Sequence, residues 1–147
     1  MTDPMTDRAH ELEPAVAADE SLKRGWSDWL VYFLRVMAFV SMTKGLYHWA
    51  YVCGVAGGQN GGFEAHPLPW QAATVFFGVI DLVAAVGLWL AAPWGAVVWL
   101  TASISMIAVE MFFPQIYGGA VEIVLLEGVL IAVYLTLAIL AAREQPA

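Results

Sequence analysis

Charge is scarce in this chain. Only 13% of its 147 residues are Asp, Glu, Lys or Arg, and 61% are apolar, whereas about a quarter of a soluble domain is charged and about half apolar. Mean hydropathy is +0.70. Six basic residues in all make no clustered footprint for nucleic acid. The single cysteine, Cys53, excludes an internal disulfide, a CxxC redox pair and a cysteine-rich metal site, and is expected as a small buried or interfacial residue. A phosphate-cradling glycine loop and a nucleophile elbow are both missing.

The net charge of −7 is spread unevenly, because Asp3, Asp7, Glu11, Glu13, Asp19 and Glu20 all fall in the opening segment. "MTDPMTDRAHELEPAVAADESLKRG" (1–25) is polar, acidic and without apolar periodicity, so it is expected to be a disordered tail in which His10 is merely solvated. A signal peptide would open with a basic region followed at once by an apolar core. The first apolar segment is therefore expected to be kept as an anchor.

What the chain has instead is long apolar runs. Four of them, Trp26 to Tyr51, Trp70 to Ala92, Ala96 to Phe113 and Ala120 to Ala142, each approach the ~20 residues that cross a hydrocarbon core. Ser27 and Asp28 are candidate caps for the first. "VCGVAGGQNGGFEAHPLPW" joins the first two runs, "APWGA" makes a tight turn between the second and third, and Pro114 with "QIYGG" stops the third. The Gly54/Gly58 pair lies in the connection, where it reads as loop rather than as a helix-dimer motif. Trp26, Trp29, Trp49, Trp70, Trp94, Trp99 and Tyr117 fall near span ends, as an interfacial aromatic belt requires. Arg8, Lys23, Arg24 and Arg143 flank the four runs, while the first and third connections lack Lys and Arg. By the positive-inside rule both termini (1–25 and 143–147) are expected in the cytoplasm. The expected fold is all-α: a membrane-embedded antiparallel four-helix bundle over 26–142 with an acidic tail.

Arg35, Lys44 and His48 interrupt the first run. A central Arg, Lys or Asp costs roughly 2.5–3.5 kcal/mol on the insertion scale, whereas Leu, Ile, Phe or Val returns only about 0.3–0.6. Helix one is therefore marginal alone and needs acidic partners from its neighbours. At ~1.5 Å per residue, Arg35 lies ~13 Å in from Trp26, and Asp81 lies ~16 Å from Trp70 on the opposite side. Lys44, Glu110 and Glu127 fall in a second layer. Two strata are thus expected: Arg35 with Asp81, and Lys44 with Glu110 and Glu127. Helical phase groups Met37, Ser41, Lys44 and His48 on one face, Thr74, Gly78, Asp81 and Ala85 on another, and pairs Ser103 with Glu110 and Glu127 with Tyr134. Arg35 and Lys44, nine residues apart, fall on nearly opposite sides of helix one.

Two roles are open for this polar network. It could fix helix packing and register, or it could serve as a proton relay, quinone-headgroup site or ion path, since ionisable groups in a membrane are functional candidates by default. A desolvated glutamate can hold its proton at neutral pH, which would make Glu110 or Glu127 a donor. Candidates for quinone or proton handling are Tyr47, His48, Glu110, Glu127 and Tyr134, with Tyr47-His48-Trp49 as a cradle for a ring. Glu122 reads as interfacial. A b-type haem needs two histidines facing one cavity, which His48 at a helix end and His66 in a loop do not supply. His48, Glu64 and His66 lack the paired spacing of a zinc site, so no metal is expected.

The segments "KGLYHW", "PLPWQ", "DLVAAVGLWLAAPWG" and "VEMFFPQIYGG", following an arginine in the first span, resemble the DoxX-like four-helix superfamily over Trp26 to Ala142. The similarity is closer to small bacterial inner-membrane proteins of a domain-of-unknown-function family. The resemblance implies an accessory place beside quinone-linked or thiol-redox membrane systems, with Asp81 and Arg35 as its acidic and basic positions; the lone Cys53 departs from the thiol-exchange branch. The expected function is an inner-membrane accessory or assembly subunit that meets other membrane subunits or its own copies in the bilayer. A stand-alone quinone-linked redox or proton-coupled transport protein is the alternative, and a lipid-interacting scaffold a third reading.

Overall fold

The computed structural model describes residues 25–57 and 62–144. The acidic tail before Gly25, with its His10 and basic residues, Gly58 in the first connection, and the last three residues lie outside them. Within the described residues the chain forms α1 (Gly25–Val52), a single 3₁₀ turn (Phe63–Ala65), α2 (Leu68–Trp89), α3 (Pro93–Phe112), the short α4 (Pro114–Tyr117) and α5 (Val121–Glu144), with no strand. The helices α1, α2, α3 and α5 are each long and apolar enough to cross a membrane. The fold is an all-α four-helix bundle, and the chain is a membrane protein.

Proline starts the inner helices. Pro69, Pro93 and Pro114 occupy the first turn of α2, α3 and α4, where the missing N–H would have no partner anyway and the fixed φ already suits a helix. This is why α2 and α3 each begin a little before the apolar run itself. α2 then stops at Trp89, short of Ala92, because Ala91 turns to φ 50° and the Ala92 N–H donates back to the Gly87 carbonyl over 3.0 Å. That left-handed residue lets "APWGA" reverse the chain tightly. Gly118, at φ 101°, does the same after α4. Ser27 and Asp28 do not cap α1: its helix already runs from Gly25, and Asp28 sits inside the first turn, where its charge suits the positive end of the helix dipole.

Burial is inside-out relative to a soluble protein. Small and polar groups fill the centre, with Ala84, Ala85, Ser41, Thr74, Asp81 and Ser103 all buried. Large apolar side chains such as Phe39, Leu46, Val83 and Leu125 face outward. Lipid is as apolar as leucine, so helices associate through close packing of small residues and interhelical polar contacts. Gly45 is one such contact: a Cβ there would come 2.8 Å from Leu82 Cγ, so α1 and α2 are held closer than an alanine allows. At the other end of the bundle Leu34, Met37, Ala38, Leu88 and Trp99 form the apolar core.

α1 runs antiparallel to α2, setting Arg35 beside Trp89, Lys44 beside Asp81 and His48 beside Phe77. With 28 residues against 22, α1 is ~42 Å long and α2 ~33 Å. The first turns of α1 therefore extend past the end of α2. α5 packs across α1 and α3 and is the least buried of the long helices.

Candidate functional site

Lys44 anchors the polar interior. Its Nζ lies 2.7 Å from Glu127 Oε1 on α5 and 3.9 Å from Asp81 Oδ1 on α2. One ammonium thus links three helices. Asp81 and Glu127 are 1% and 5% exposed. Both Asp81 oxygens and Glu127 Oε2 lack a hydrogen-bond partner, an arrangement costly enough to require explanation.

Glu110 on α3 takes a different partner from the one its depth suggests. Its Oε2 accepts the Ala120 N–H over 2.9 Å, capping the start of α5, while its Oε1 is buried without a partner. Glu110 is 3% exposed. One ammonium therefore shares this interior with three buried carboxyl groups. Charged and polar groups are thus concentrated in one layer of a bundle that is otherwise apolar.

Beside this cluster opens a pocket of about 440 Å³, within the range of ordinary small-molecule sites. Lys44 and Glu110 supply its charge, and Tyr47, Tyr51, Trp70 and Tyr117 its aromatic walls. The walls are tied together: Tyr47 Oη and Tyr51 Oη lie 3.1 Å apart, Tyr51 meets Trp70 edge-on at 5.7 Å between centroids, and Tyr117 Oη lies 3.2 Å from Thr74 Oγ1. His48, also in the lining, stacks on Phe77 at 5.9 Å. Burial pushes the Tyr117 phenol above its ordinary value, against a smaller lowering by the Thr74 hydrogen bond. Tyr117 is thus a neutral hydroxyl at the pocket rim. Gly78, facing Trp49 and His48, leaves room for α1 to lie close at this level.

Several expected placements change. Arg35 does not meet Asp81. It is exposed on the outer face of α1, with its guanidinium 5.8 Å from the Trp89 ring centroid. The depth counted from Trp26 misleads because α1 overhangs α2: Arg35 stands level with the end of α2, and Asp81 lies ~12 Å deeper along that helix. The two-strata arrangement is replaced by one centre, with Lys44 between Asp81 and Glu127. Tyr134 shares a face with Glu127 but not the pocket. It stacks on Phe33 at 6.4 Å and meets Trp99 edge-on at 5.6 Å, in the apolar core two turns away. Trp49 turns toward Gly78 of α2 rather than into the pocket.

His66 stacks on Trp70 at 3.9 Å, Glu64 is exposed in the 3₁₀ turn, and among the described residues no three His, Cys, Asp or Glu side chains gather to hold a metal. Cys53 is exposed in the turn after α1. Sequence reasoning missed Tyr51 and took Trp70 and Tyr117 for belt residues only. The available signal was local, since Tyr47 and Tyr51 are four residues apart and so share a helix face.

A four-helix membrane domain with a charged, aromatic-walled pocket defines a class: a polytopic membrane protein with an intramembrane polar centre. Residues 28–145 match the family of unknown function DUF6163, and the chain belongs to that family. No curated protein and no solved structure matches it.

Proposed function

We propose that this protein is a small accessory subunit of a quinone-linked inner-membrane system, and that its pocket receives the planar head of a lipid-soluble quinone. The observation that carries the reading is Glu110 Oε1, a buried carboxyl oxygen without a partner in an aromatic-walled pocket. A ring between Tyr47, Tyr51 and Trp70 would stack as aromatic groups do, and its oxygens would find polar side chains of Lys44, His48 and Glu110 in the same lining. The DoxX-like resemblance of the four helical segments adds to it. The Lys and Arg residues towards the two ends of the chain, Arg8, Lys23, Arg24 and Arg143, favour both termini on the cytoplasmic side of a bacterial inner membrane.

The accessory role rests on size and on α5. More than half of that helix is exposed, with Leu125, Leu126, Val129 and Ile139 outward, a face for lipid or for a larger subunit. The stand-alone alternative uses the same pocket without a partner.

Binding is tested by calorimetry on the full chain in mild detergent with a short-tailed quinone. Saturable binding is expected, weakened roughly tenfold by Glu110→Ala and by Trp70→Ala, as befits loss of one buried polar or one stacking partner, and unchanged by Val83→Ala on the outer face. Wild-type protein without saturable binding overturns the reading. Copurification from membranes separates the two roles: a stoichiometric larger subunit is expected, and repeated isolation as a lone chain favours independent action.

A further inference from the structure

Arg35 lies on the side of α1 away from the pocket, nine residues and about half a turn of phase from Lys44. Among the described residues the ion pairs all belong to Lys44, and no carboxylate reaches the Arg35 guanidinium. Asp28, the nearest acidic residue along the helix, is seven positions nearer the start of α1, ~10 Å away along the axis. A permanently charged group on the outer surface of a membrane helix is stabilised by reaching water or an anionic headgroup at its own depth.

Trp89, whose ring Arg35 lies over, is also one wall of an apolar groove. The groove has a volume of about 340 Å³ between Ala38, Phe39 and Met42 of α1 and Ala85, Val86 and Trp89 of α2. Its lining carries no charged side chain. Phe39 and Met42, three residues apart, form one wall, and Arg35, one turn before Phe39 on the same helix face, stands outside the lining against Trp89. Ala38 and Ala85 are almost fully buried, and their small side chains make the floor. Trp89, the last residue of α2, closes the charged end, at the level where tryptophan marks the boundary of hydrocarbon and headgroups.

We propose that this groove seats one acyl chain of an anionic glycerophospholipid whose phosphate is held by Arg35. The guanidinium, already braced on the Trp89 ring, offers a planar fork that matches two phosphate oxygens. The carbon-lined channel leading from it fits a chain and offers nothing to a polar ligand. Charge complementarity selects the headgroup and the groove selects a lipid over a free anion. The site is separate from the quinone pocket and stands whether or not that pocket binds a quinone.

Native mass spectrometry of the delipidated full chain in detergent tests this, titrating phosphatidylglycerol and phosphatidylcholine of identical acyl chains. Wild-type protein is expected to bind one phosphatidylglycerol about fivefold more tightly than phosphatidylcholine, the preference one arginine near a membrane surface supplies. Arg35→Gln should abolish the preference and Arg35→Lys should retain part of it. Met42→Trp, which fills the groove from its exposed edge, should weaken both lipids while keeping their ratio. The proposal is overturned if Arg35→Gln keeps the wild-type preference or if Met42→Trp leaves both affinities unchanged. It is equally overturned if glycerol phosphate without acyl chains displaces the lipid at equal concentration, or if the delipidated chain occupies the groove by forming a dimer that phosphatidylglycerol does not dissociate.

Discussion

Lys44 on α1 donates a 2.7 Å hydrogen bond to Glu127 on α5, joining the helix that opens the bundle to the helix that closes it. The contact is nearly closed to solvent on the Glu127 side and a little open on the Lys44 side, whose side chain is 28% exposed. Pairing explains how α1 tolerates an ammonium at depth, and it makes the two residues energetically one unit.

Breaking that unit from one side should therefore hurt more than removing it whole. Lys44→Met strands Glu127 and Asp81 together, and a loss of about 3 kcal/mol is expected, the usual cost of leaving a buried charge unmatched. Glu127→Gln should cost less, because Asp81 remains to answer the ammonium. The double variant Lys44→Met/Glu127→Gln should recover at least ~1 kcal/mol relative to the sum of the single losses. Unfolding of the purified chain in mixed micelles measures all three, and strictly additive losses would show that the pair is not coupled.

Asp81 should behave in the opposite way. Both its oxygens are buried without hydrogen bonds, and Lys44 stays 3.9 Å away. A neutral side chain of the same shape gives up little attraction and relieves the cost of burying a carboxylate. Asp81→Asn is expected to leave stability within ~1 kcal/mol of wild type, or to raise it. A loss as large as that of Lys44→Met in the same unfolding assay would mean that Asp81 is an essential ionised partner.

Much of this arrangement is legible in the amino-acid sequence. The four long helices follow from apolar runs punctuated by proline and glycine. The buried faces Thr74-Gly78-Asp81-Ala85 and Met37-Ser41-Lys44-His48 follow from helical phase. Lys44 and Glu127 share a layer by depth, and the structure joins them. Arg35 was misplaced because its count began on a stretch of α1 that overhangs α2, and overhang is a property of packing rather than of any one segment. The pocket walls were hidden for another reason. An aromatic at a span end serves an interfacial belt and a pocket rim equally well, and only the tertiary contacts of Tyr51, Trp70 and Tyr117 distinguish the two. Tyr134 had the right phase but lay two turns too far along its helix.

Glu110 offers a test that separates its capping oxygen from its free one. Oε2 accepts the Ala120 N–H, and Oε1 is buried without a hydrogen-bond partner. Glu110→Gln keeps an oxygen for Ala120 and should leave the start of α5 protected, whereas Glu110→Ala should cost about 1 kcal/mol and speed amide exchange at Ala120, as loss of a helix cap does. Hydrogen exchange in detergent reads both. Equal exchange at Ala120 in the two variants would remove Glu110 from the capping role.

Gly45 and Gly128 are both helix-interior glycines, yet a methyl group should act on them in opposite directions. At Gly45 a Cβ would press on Leu82 side-chain atoms at 2.8 and 2.9 Å and approach its backbone nitrogen at 3.2 Å. The leucine can rotate but the nitrogen cannot, so α1 and α2 must part slightly, and Gly45→Ala should cost about 1–3 kcal/mol through overpacking. The same shift would widen the Lys44–Asp81 separation one residue away. At Gly128 nothing lies within 4 Å of the added atom, and the residue is exposed in the middle of α5. Gly128→Ala should stabilise the protein by about 0.5–1 kcal/mol, because alanine surrenders less backbone freedom on becoming helical. Paired unfolding curves under one detergent condition measure the contrast. Destabilisation by Gly128→Ala would place a close neighbour against that face of α5, which would then be an occupied surface in the protein as purified.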